Sequence, residues 1–136
     1  MQNPSQEEIR KILEDAKRIA IVGLSDNPAR TSNQIGEALM KAGYEIIPVN
    51  PTVDEVFGIK AVSCVTEIEG DIDIINVFRR SQFLPEIAEK AVQTDAKVFW
   101  AQLGLTNEKA YDILKEADKT VIMDRCIKVD HAVLVK

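Results

Sequence analysis

The sequence predicts an α/β fold in which helices cover both faces of a parallel five-stranded sheet. Two observations indicate this fold. Short apolar runs, typical of strands buried on both sides, recur along the chain, and segments with apolar residues at helical spacing separate them. The length of 136 residues suits one domain, so residues 1–136 are expected to form a single unit.

The chain opens with signals for a helix and then a strand. Ser5 and Glu8 have the spacing of a capping box, in which a serine side chain accepts a hydrogen bond from an amide at the helix start. Apolar residues at helical spacing follow them. The apolar run of residues 18–23 then predicts the first strand, and residues 24–30 predict a loop after it.

A second helix and a second strand follow that loop. Thr31 and Gln34 also have capping-box spacing, and Gly43 is expected to end the helix. Residues 45–50 predict the second strand. Pro51 should end the hydrogen-bond ladder of this strand because proline has no amide hydrogen to donate.

The segment 51–70 carries the weakest pattern in the chain, and a short extended piece is expected at residues 58–62. The apolar run of residues 71–78 predicts the third strand. A helix should follow it, because apolar residues recur there at helical spacing, namely Ile87, Ala91 and Val92.

Residues 97–101 predict the fourth strand and residues 102–105 a turn. Thr106 is expected to cap a further helix, and residues 120–123 predict the fifth strand. Strands that alternate with helices in this way form a three-layer, Rossmann-like sheet. Ligands of such sheets bind beyond the carboxyl ends of the strands, so the loops at those ends are the place to look for a site.

The composition excludes several classes of function. Apolar residues make up 46% and charged residues 29%, as in ordinary soluble proteins, and no apolar run is long enough for a membrane helix. A net charge of −5 argues against a nucleic-acid partner. With two cysteines and one histidine, neither a disulfide framework nor a multi-ligand zinc site is expected. We therefore expect a cytoplasmic protein with a small-molecule ligand.

The loop after the first strand has the composition of a phosphate site. Gly23 permits a sharp turn, Ser25 and Ser32 offer hydroxyls, and the next helix directs its free amides at the loop. Arg30 is a cation just before a helix start, which the helix dipole disfavours unless an anion lies between them. An ordinary capped turn is the alternative, because the three-glycine fingerprint of dinucleotide sites is absent.

The end of the second strand argues against NAD. Units that bind NAD place Asp or Glu there to hold the ribose hydroxyls, whereas this chain has Asn50. An amide does not repel a ribose that carries a phosphate group. Asn50 is equally well explained as a turn residue before Pro51.

The third and fourth strand exits add further candidates. Arg79 and Arg80 follow the third strand, and arginine suits phosphate, although surface arginines are commonly only solvated. Gln102 and Gly104 follow the fourth strand, where an extended ligand could lie against the backbone. Trp100 is expected to pack in the core.

Five segments of the chain closely resemble the CoA-binding protein family of small bacterial stand-alone domains, similar in fold to the CoA-binding domain of the succinyl-CoA synthetase α subunit. They are IAIVGLSDNPARTSNQIGEAL, GYEIIPVNP, INVFRR, VFWAQLG and VIMDRCIKVDH, and the match runs from about residue 18 to residue 131. The resemblance implies a Rossmann-like fold that takes coenzyme A rather than a nicotinamide dinucleotide.

The resemblance also implies roles for individual residues. The phosphates would lie at Gly23, Ser25, Arg30 and Ser32, the adenosine part beside Asn50 and Pro51, and the pantetheine along Phe78, Arg79, Gln102 and Gly104. In the synthetase the phosphorylated histidine lies on a further domain, so its thioester-forming activity is not expected here. His131 is expected in a tail after the last strand and does not replace that histidine.

Three functions remain open on the sequence. The first is a non-catalytic module, regulatory or a carrier, that binds coenzyme A or an acyl-CoA. The second is an NAD(P)-dependent, oxidoreductase-like enzyme. The third is a subunit that supplies a CoA site to a protein partner.

Cys126 follows the fifth strand and has two interpretations. In the first, it is a small packed residue beside a local ion pair between Asp124 and Arg125. In the second, its thiol meets the thiol of the ligand. We expect the first, because free cysteine is usually packed.

Overall fold

The computed structural model describes residues 1–135 as alternating helices and strands. In chain order they are α1 (Gln6–Asp15), β1 (Arg18–Val22), α2 (Thr31–Lys41), β2 (Glu45–Val49), β3 (Glu55–Val56), β4 (Ile59–Lys60), β5 (Ile74–Val77), α3 (Leu84–Ala91), β6 (Val98–Ala101), α4 (Glu108–Glu116), β7 (Thr120–Ile122) and α5 (Ile127–Leu134). Five of the strands form one parallel sheet in the order β2-β1-β5-β6-β7. The predicted five-stranded α/β fold is therefore confirmed.

The strands of this sheet form because each is a short apolar run with almost every residue buried. β1 lies near the centre, where Ile19 pairs with Ile46 of β2 on one side and with Ile74 of β5 on the other. Isoleucine and valine suit this position because their branched side chains pack well on a pleated surface.

Helices cover both faces of the sheet, so the protein has three layers. On one face α3 and α4 bury Leu84, Ala88, Ala110 and Leu114 against the strands. On the other face α1, α2 and α5 bury Ile9, Leu13, Ile35, Leu39 and Ile127. Successive residues of a strand point to opposite faces of the sheet and pack in the two apolar cores, as Ala20 and Ile21 of β1 do. None of the helices in residues 1–135 is long and apolar enough to cross a membrane.

The segment with the weakest sequence pattern contains a small hairpin. β3 and β4 pair antiparallel through a two-residue turn at Phe57 and Gly58, whose φ angles are both positive at 57° and 76°. Positive φ at both positions is typical of the type I′ turn of short hairpins. The expected extended piece at 58–62 corresponds to β4 and to Val62, which bridges Val49 of β2.

The tail expected after the fifth strand is wrong, because residues 127–134 form the helix α5. The sequence pattern concealed this helix, since apolar residues lie on two of its sides. Ile127 is fully buried, whereas Val129 and Val133 are 54% and 57% exposed. His131 lies in this helix, with its ring edge-on to that of Tyr44.

The first predicted cap is confirmed and two others are wrong. The side chain of Ser5 accepts a hydrogen bond from the amide of Glu8 at 3.2 Å. The helix α2 begins at Thr31 as expected, but its cap position is Arg30 and makes no side-chain bond to the helix. α4 is capped by Asn107, one residue after Thr106, through a 2.9 Å bond from the Ala110 amide to Oδ1.

The expected ion pair beside Cys126 is also wrong. Arg125 pairs with Asp130 of α5, with N–O distances of 2.7 and 2.8 Å, and this bond raises the pKa of Arg125. Asp124 instead accepts a hydrogen bond from the Gly104 amide at 2.6 Å. Trp100 is fully buried, as expected, and donates from Nε1 to the Arg125 carbonyl.

The cap of α4 gives a test of this fold. Asn107→Ala should destabilise the protein by about 1 kcal/mol, because the Ala110 amide loses its side-chain acceptor. Thr106→Ala is the matched control, since Asn107 rather than Thr106 occupies the cap position. Urea unfolding of both variants measures the difference, and an equal or larger loss for Thr106→Ala would contradict the assignment.

Candidate functional site

A cleft of about 1070 Å³ lies at the carboxyl edge of the sheet. It is bordered by the exits of β1, β2 and β5, by residues 63–65 and by one face of α3. The chain leaves β1 for β2 on one side and later enters β5 on the other side, so the strand order reverses between β1 and β5. The cleft therefore lies where open α/β sheets bind their ligands.

Gly23 brings the exits of β1 and β5 together. Its φ is +87°, and a Cβ built on it would lie 3.1 Å from the Phe78 carbonyl oxygen and 3.3 Å from Cδ of Arg79. A side chain here would be both strained and crowded. The glycine thus allows the stem of Arg79 to pack against the backbone at the floor of the cleft.

Arg79 is held from a second side by Phe83. The carbon at the centre of its guanidinium group lies 4.6 Å from the centre of the Phe83 ring, within the range of a cation–π contact. Arg30 and Arg80 also line the cleft. Within residues 1–135, none of these three arginines forms an ion pair with a carboxylate. Their charges are available to an anion.

Asn50 joins the exit of β2 to the exit of β1. Its Nδ2 donates to the Leu24 carbonyl at 3.0 Å, and its Oδ1 accepts from the amide and the hydroxyl of Thr52 at 2.9 and 2.7 Å. The side chain therefore orders two of the loops that border the cleft. Pro51 and Thr52 complete this wall.

Ser25 and Ser32 are used inside the first loop rather than at the surface of the cleft. Oγ of Ser32 accepts from the Ser25 amide at 3.0 Å, and Oγ of Ser25 accepts from the Asn27 amide at 3.0 Å. Asn33 adds a bond from its Nδ2 to the Ser25 carbonyl. These bonds fix the shape of the loop that carries Arg30.

Gln102 and Gly104 lie beyond the cleft, at the exit of β6. Gln102 is 6% exposed, and its Oε1 accepts from the Ile127 amide and from Nδ2 of Asn76, each at 3.3 Å. Gln102 thereby joins the start of α5 to the sheet. Gly104 lies in the exposed turn that Asp124 holds.

The structure thus gathers one group of the predicted residues at the cleft and leaves another outside its lining. The first group is Gly23, Arg30, Asn50, Pro51, Phe78 and Arg79, and the second is Ser25, Ser32, Gln102 and Gly104. Cys126, which is half-buried, does not line the cleft, whereas Cys64 does.

The wall that α3 contributes was not predicted from the sequence. Phe83, Glu86 and Lys90 line the cleft together with Ile87 and Glu89. Steps of three and four residues place side chains on one helix face, so the spacing of 83, 86, 87 and 90 was the available signal. Cys64 lies in the segment without a clear pattern and had no such signal.

Comparisons with known proteins agree on a family and a fold. Residues 17–132 match the family model described as CoA binding domain. The protein YneT of Bacillus subtilis is 65% identical over 133 residues, which are 98% of either chain. A protein from Pyrococcus horikoshii OT3 of known structure superposes with a TM-score of 0.95, at 32% identity, over 100% of this chain and 98% of its own.

A third relative is much longer than this chain. The ADP-forming acetate–CoA ligase of Methanocaldococcus jannaschii is 32% identical over 91 residues, which are 64% of this chain. The matched part is 12% of the ligase.

The close contact between the exits of β1 and β5 at Gly23 can be tested by substitution. Gly23→Ala should destabilise the protein by about 1–2 kcal/mol through its positive φ alone, and by more through the contact with Phe78. Gly43→Ala is the matched control, because Gly43 also has a positive φ of 106° but no atom within 4 Å of the new Cβ. Urea unfolding should show the larger loss for Gly23→Ala. Equal losses of stability in the two variants would mean that the exits of β1 and β5 move apart at little cost to admit the new side chain.

Proposed function

The chain belongs to the CoA-binding domain family, and we propose that it binds coenzyme A in the cleft at the exits of β1 and β5, as a non-catalytic module. The observation that carries the proposal is the group of three arginines at the cleft, Arg30, Arg79 and Arg80, which form no ion pair within residues 1–135. Coenzyme A carries a diphosphate and a ribose phosphate, and arginine binds such groups with planar, charge-assisted hydrogen bonds.

The remainder of the lining suits the uncharged parts of this ligand. Apolar side chains lie between the strand exits and α3, namely Val22, Val49, Val65 and Ile87. Sites for cofactors combine such apolar surface with a few placed polar groups. The volume of about 1070 Å³ is also large enough for a nucleotide with an extended arm.

The exit of β2 supports coenzyme A over NAD. The position where NAD sites hold a carboxylate is occupied by Asn50, whose amide is engaged with Leu24 and Thr52. Because Asn50 carries no negative charge, it does not repel a phosphate group on the ribose. This observation weakens the alternative of an oxidoreductase-like enzyme that uses NAD, and the titration with NADP described below tests the remaining form of that alternative.

The proposed contacts run along the carboxyl edge of the sheet. Phosphates would bind Arg79 at the exit of β5 and Arg30 in the loop whose shape Ser25 and Ser32 fix. The adenosine part would lie beside Asn50 and Pro51. The pantetheine would pass Phe78 towards the exit of β6, where Gln102 and Gly104 lie. The resemblance to the CoA-binding family implies this direction, and the position of β6 as the next neighbour of β5 is consistent with it.

The proposal includes a regulatory or carrier role, and the sequence composition supports a cytoplasmic location. A second candidate is a subunit that supplies its CoA site to a protein partner. The ligase relative favours this candidate, because the matched region is a small part of a much larger protein there. Co-purification from cell extract with and without added coenzyme A separates the two.

Ligand preference is the direct test. Isothermal titration should show binding of coenzyme A and markedly weaker binding of NAD and NADP, because Asn50 replaces the acid that holds the NAD ribose and because the arginines at the cleft suit the phosphates of coenzyme A. Dephospho-coenzyme A reports the contribution of the ribose phosphate. Tighter or equal binding of NAD would overturn the proposal.

The arginines give a further prediction. Arg79→Ala and Arg30→Ala should each weaken coenzyme A binding by roughly 1.5–3 kcal/mol, since each removes a charge-assisted hydrogen bond to phosphate. Arg10→Ala is the control, because Arg10 lies on α1 outside the cleft and pairs with Glu7 and Glu14. Titration calorimetry measures the affinity of all three variants. Unchanged affinity in both cleft variants would mean that these arginines are only solvated and do not bind the ligand.

A further inference from the structure

The two walls of the cleft carry opposite charge. The strand exits contribute Arg30, Arg79 and Arg80, whereas α3 contributes Glu86 and Glu89 with Lys90 as its cation. Carboxylates repel phosphate groups, so a ligand with several phosphates binds with those groups at the strand exits and away from Glu86 and Glu89. An uncharged part of the ligand that can donate hydrogen bonds fits the α3 wall.

The first turn of α3 also offers an aromatic surface. Phe83 is half-buried and lines the cleft directly before the helix begins. Glu86 lies three residues later and Ile87 four residues later, so the three side chains share one face of the helix. Aromatic rings bind nucleobases by stacking.

We propose that the first turn of α3 binds the purine base of the ligand, with Phe83 as the stacking surface and Glu86 as the acceptor for the exocyclic amino group. The inference rests on the proposed function and adds the residues that select the base. Pro51 lines the same cleft at the exit of β2, and we place the base between that exit and α3.

At the 6 position of a purine, a carboxylate favours an amino group over a carbonyl oxygen. An ionised carboxylate accepts hydrogen bonds and donates none. Adenine presents an amino group at its 6 position, whereas hypoxanthine presents a carbonyl oxygen there, which a carboxylate repels. A contact of Glu86 with the 6 position therefore distinguishes adenine from hypoxanthine.

The contact between Arg79 and Phe83 is compatible with this role. A charge-assisted hydrogen bond to phosphate is stronger than an exposed cation–π contact. A bound phosphate therefore draws the guanidinium group of Arg79 towards itself and leaves the ring of Phe83 to the base.

The role of Glu86 is tested with adenosine 3′,5′-bisphosphate and inosine 3′,5′-bisphosphate, which differ only in the base. Titration calorimetry of the wild-type protein should show about tenfold tighter binding of the adenosine compound, as expected for one hydrogen bond to a charged group. Glu86→Gln should reduce that preference to within about twofold, since an amide both accepts and donates. Glu108→Gln is the matched control, because Glu108 lies in the first turn of α4 outside the cleft.

The role of Phe83 is tested with a ligand that lacks the base. Phe83→Leu should weaken adenosine 3′,5′-bisphosphate about tenfold through lost stacking and leave 4′-phosphopantetheine unchanged, whereas Phe83→Tyr should keep both affinities. Tyr111→Leu is the control, a half-buried aromatic residue of α4 away from the cleft. A role confined to holding Arg79 would instead weaken both ligands in Phe83→Leu.

The outcomes separate this inference from the proposed function. If the wild-type protein binds coenzyme A, either of two results overturns the inference alone. One is that Glu86→Gln retains the adenine preference, and the other is that Phe83→Leu weakens the binding of both ligands alike. Wild-type protein that binds neither coenzyme A nor adenosine 3′,5′-bisphosphate overturns the proposed function as well. Because Glu86 is exposed, Glu86→Gln tests the inference even where Phe83→Leu fails to fold.

Discussion

The close approach of two strand exits at Gly23 is the contact on which the candidate site depends. β1 and β5 are hydrogen-bonded neighbours, and the chain leaves them towards different sides of the sheet. The absence of a side chain at Gly23 lets the Phe78 carbonyl and the Arg79 stem close over the end of β1. Asn50 then joins the exit of β2 to the same place. Loops ordered in this way before a ligand arrives reduce the entropy lost on binding.

The central sheet was predictable because its strands are apolar runs, and burial on both sides leaves little choice of residue. The hairpin β3–β4 was not, since strands of two residues are too short for any periodicity. The helix α5 was missed for a different reason. Val129 and Val133 are exposed while Ile127 is buried, so its apolar residues do not form one stripe. Cap positions such as Asn107 depend on neighbours that the local pattern does not specify.

Sequence analysis could place residues at the edge of the sheet where backbone position decides their location, but it could not predict which side chains bond to one another. Gly23, Asn50 and Arg79 follow strands directly, so the topology brings them together at one edge. The hydroxyls of Ser25 and Ser32 are instead taken by nearby amides. The buried amide of Gln102 is likewise taken by α5. None of these hydrogen bonds could be inferred from residue type. The spacing of Phe83, Glu86 and Lys90 indicates one helix face, but that this face borders the cleft follows only from the position of α3 in the fold.

The central claim is that coenzyme A binds where the exits of β1 and β5 meet, and amide chemical shifts of the ¹⁵N-labelled protein test it most directly. Titration with coenzyme A should move the signals of Gly23, Arg79 and the first turn of α3 most. The signals of residues 71–73, at the opposite edge of the sheet, should stay nearly constant. Largest changes at that opposite edge, or no changes at saturating ligand, would contradict the account.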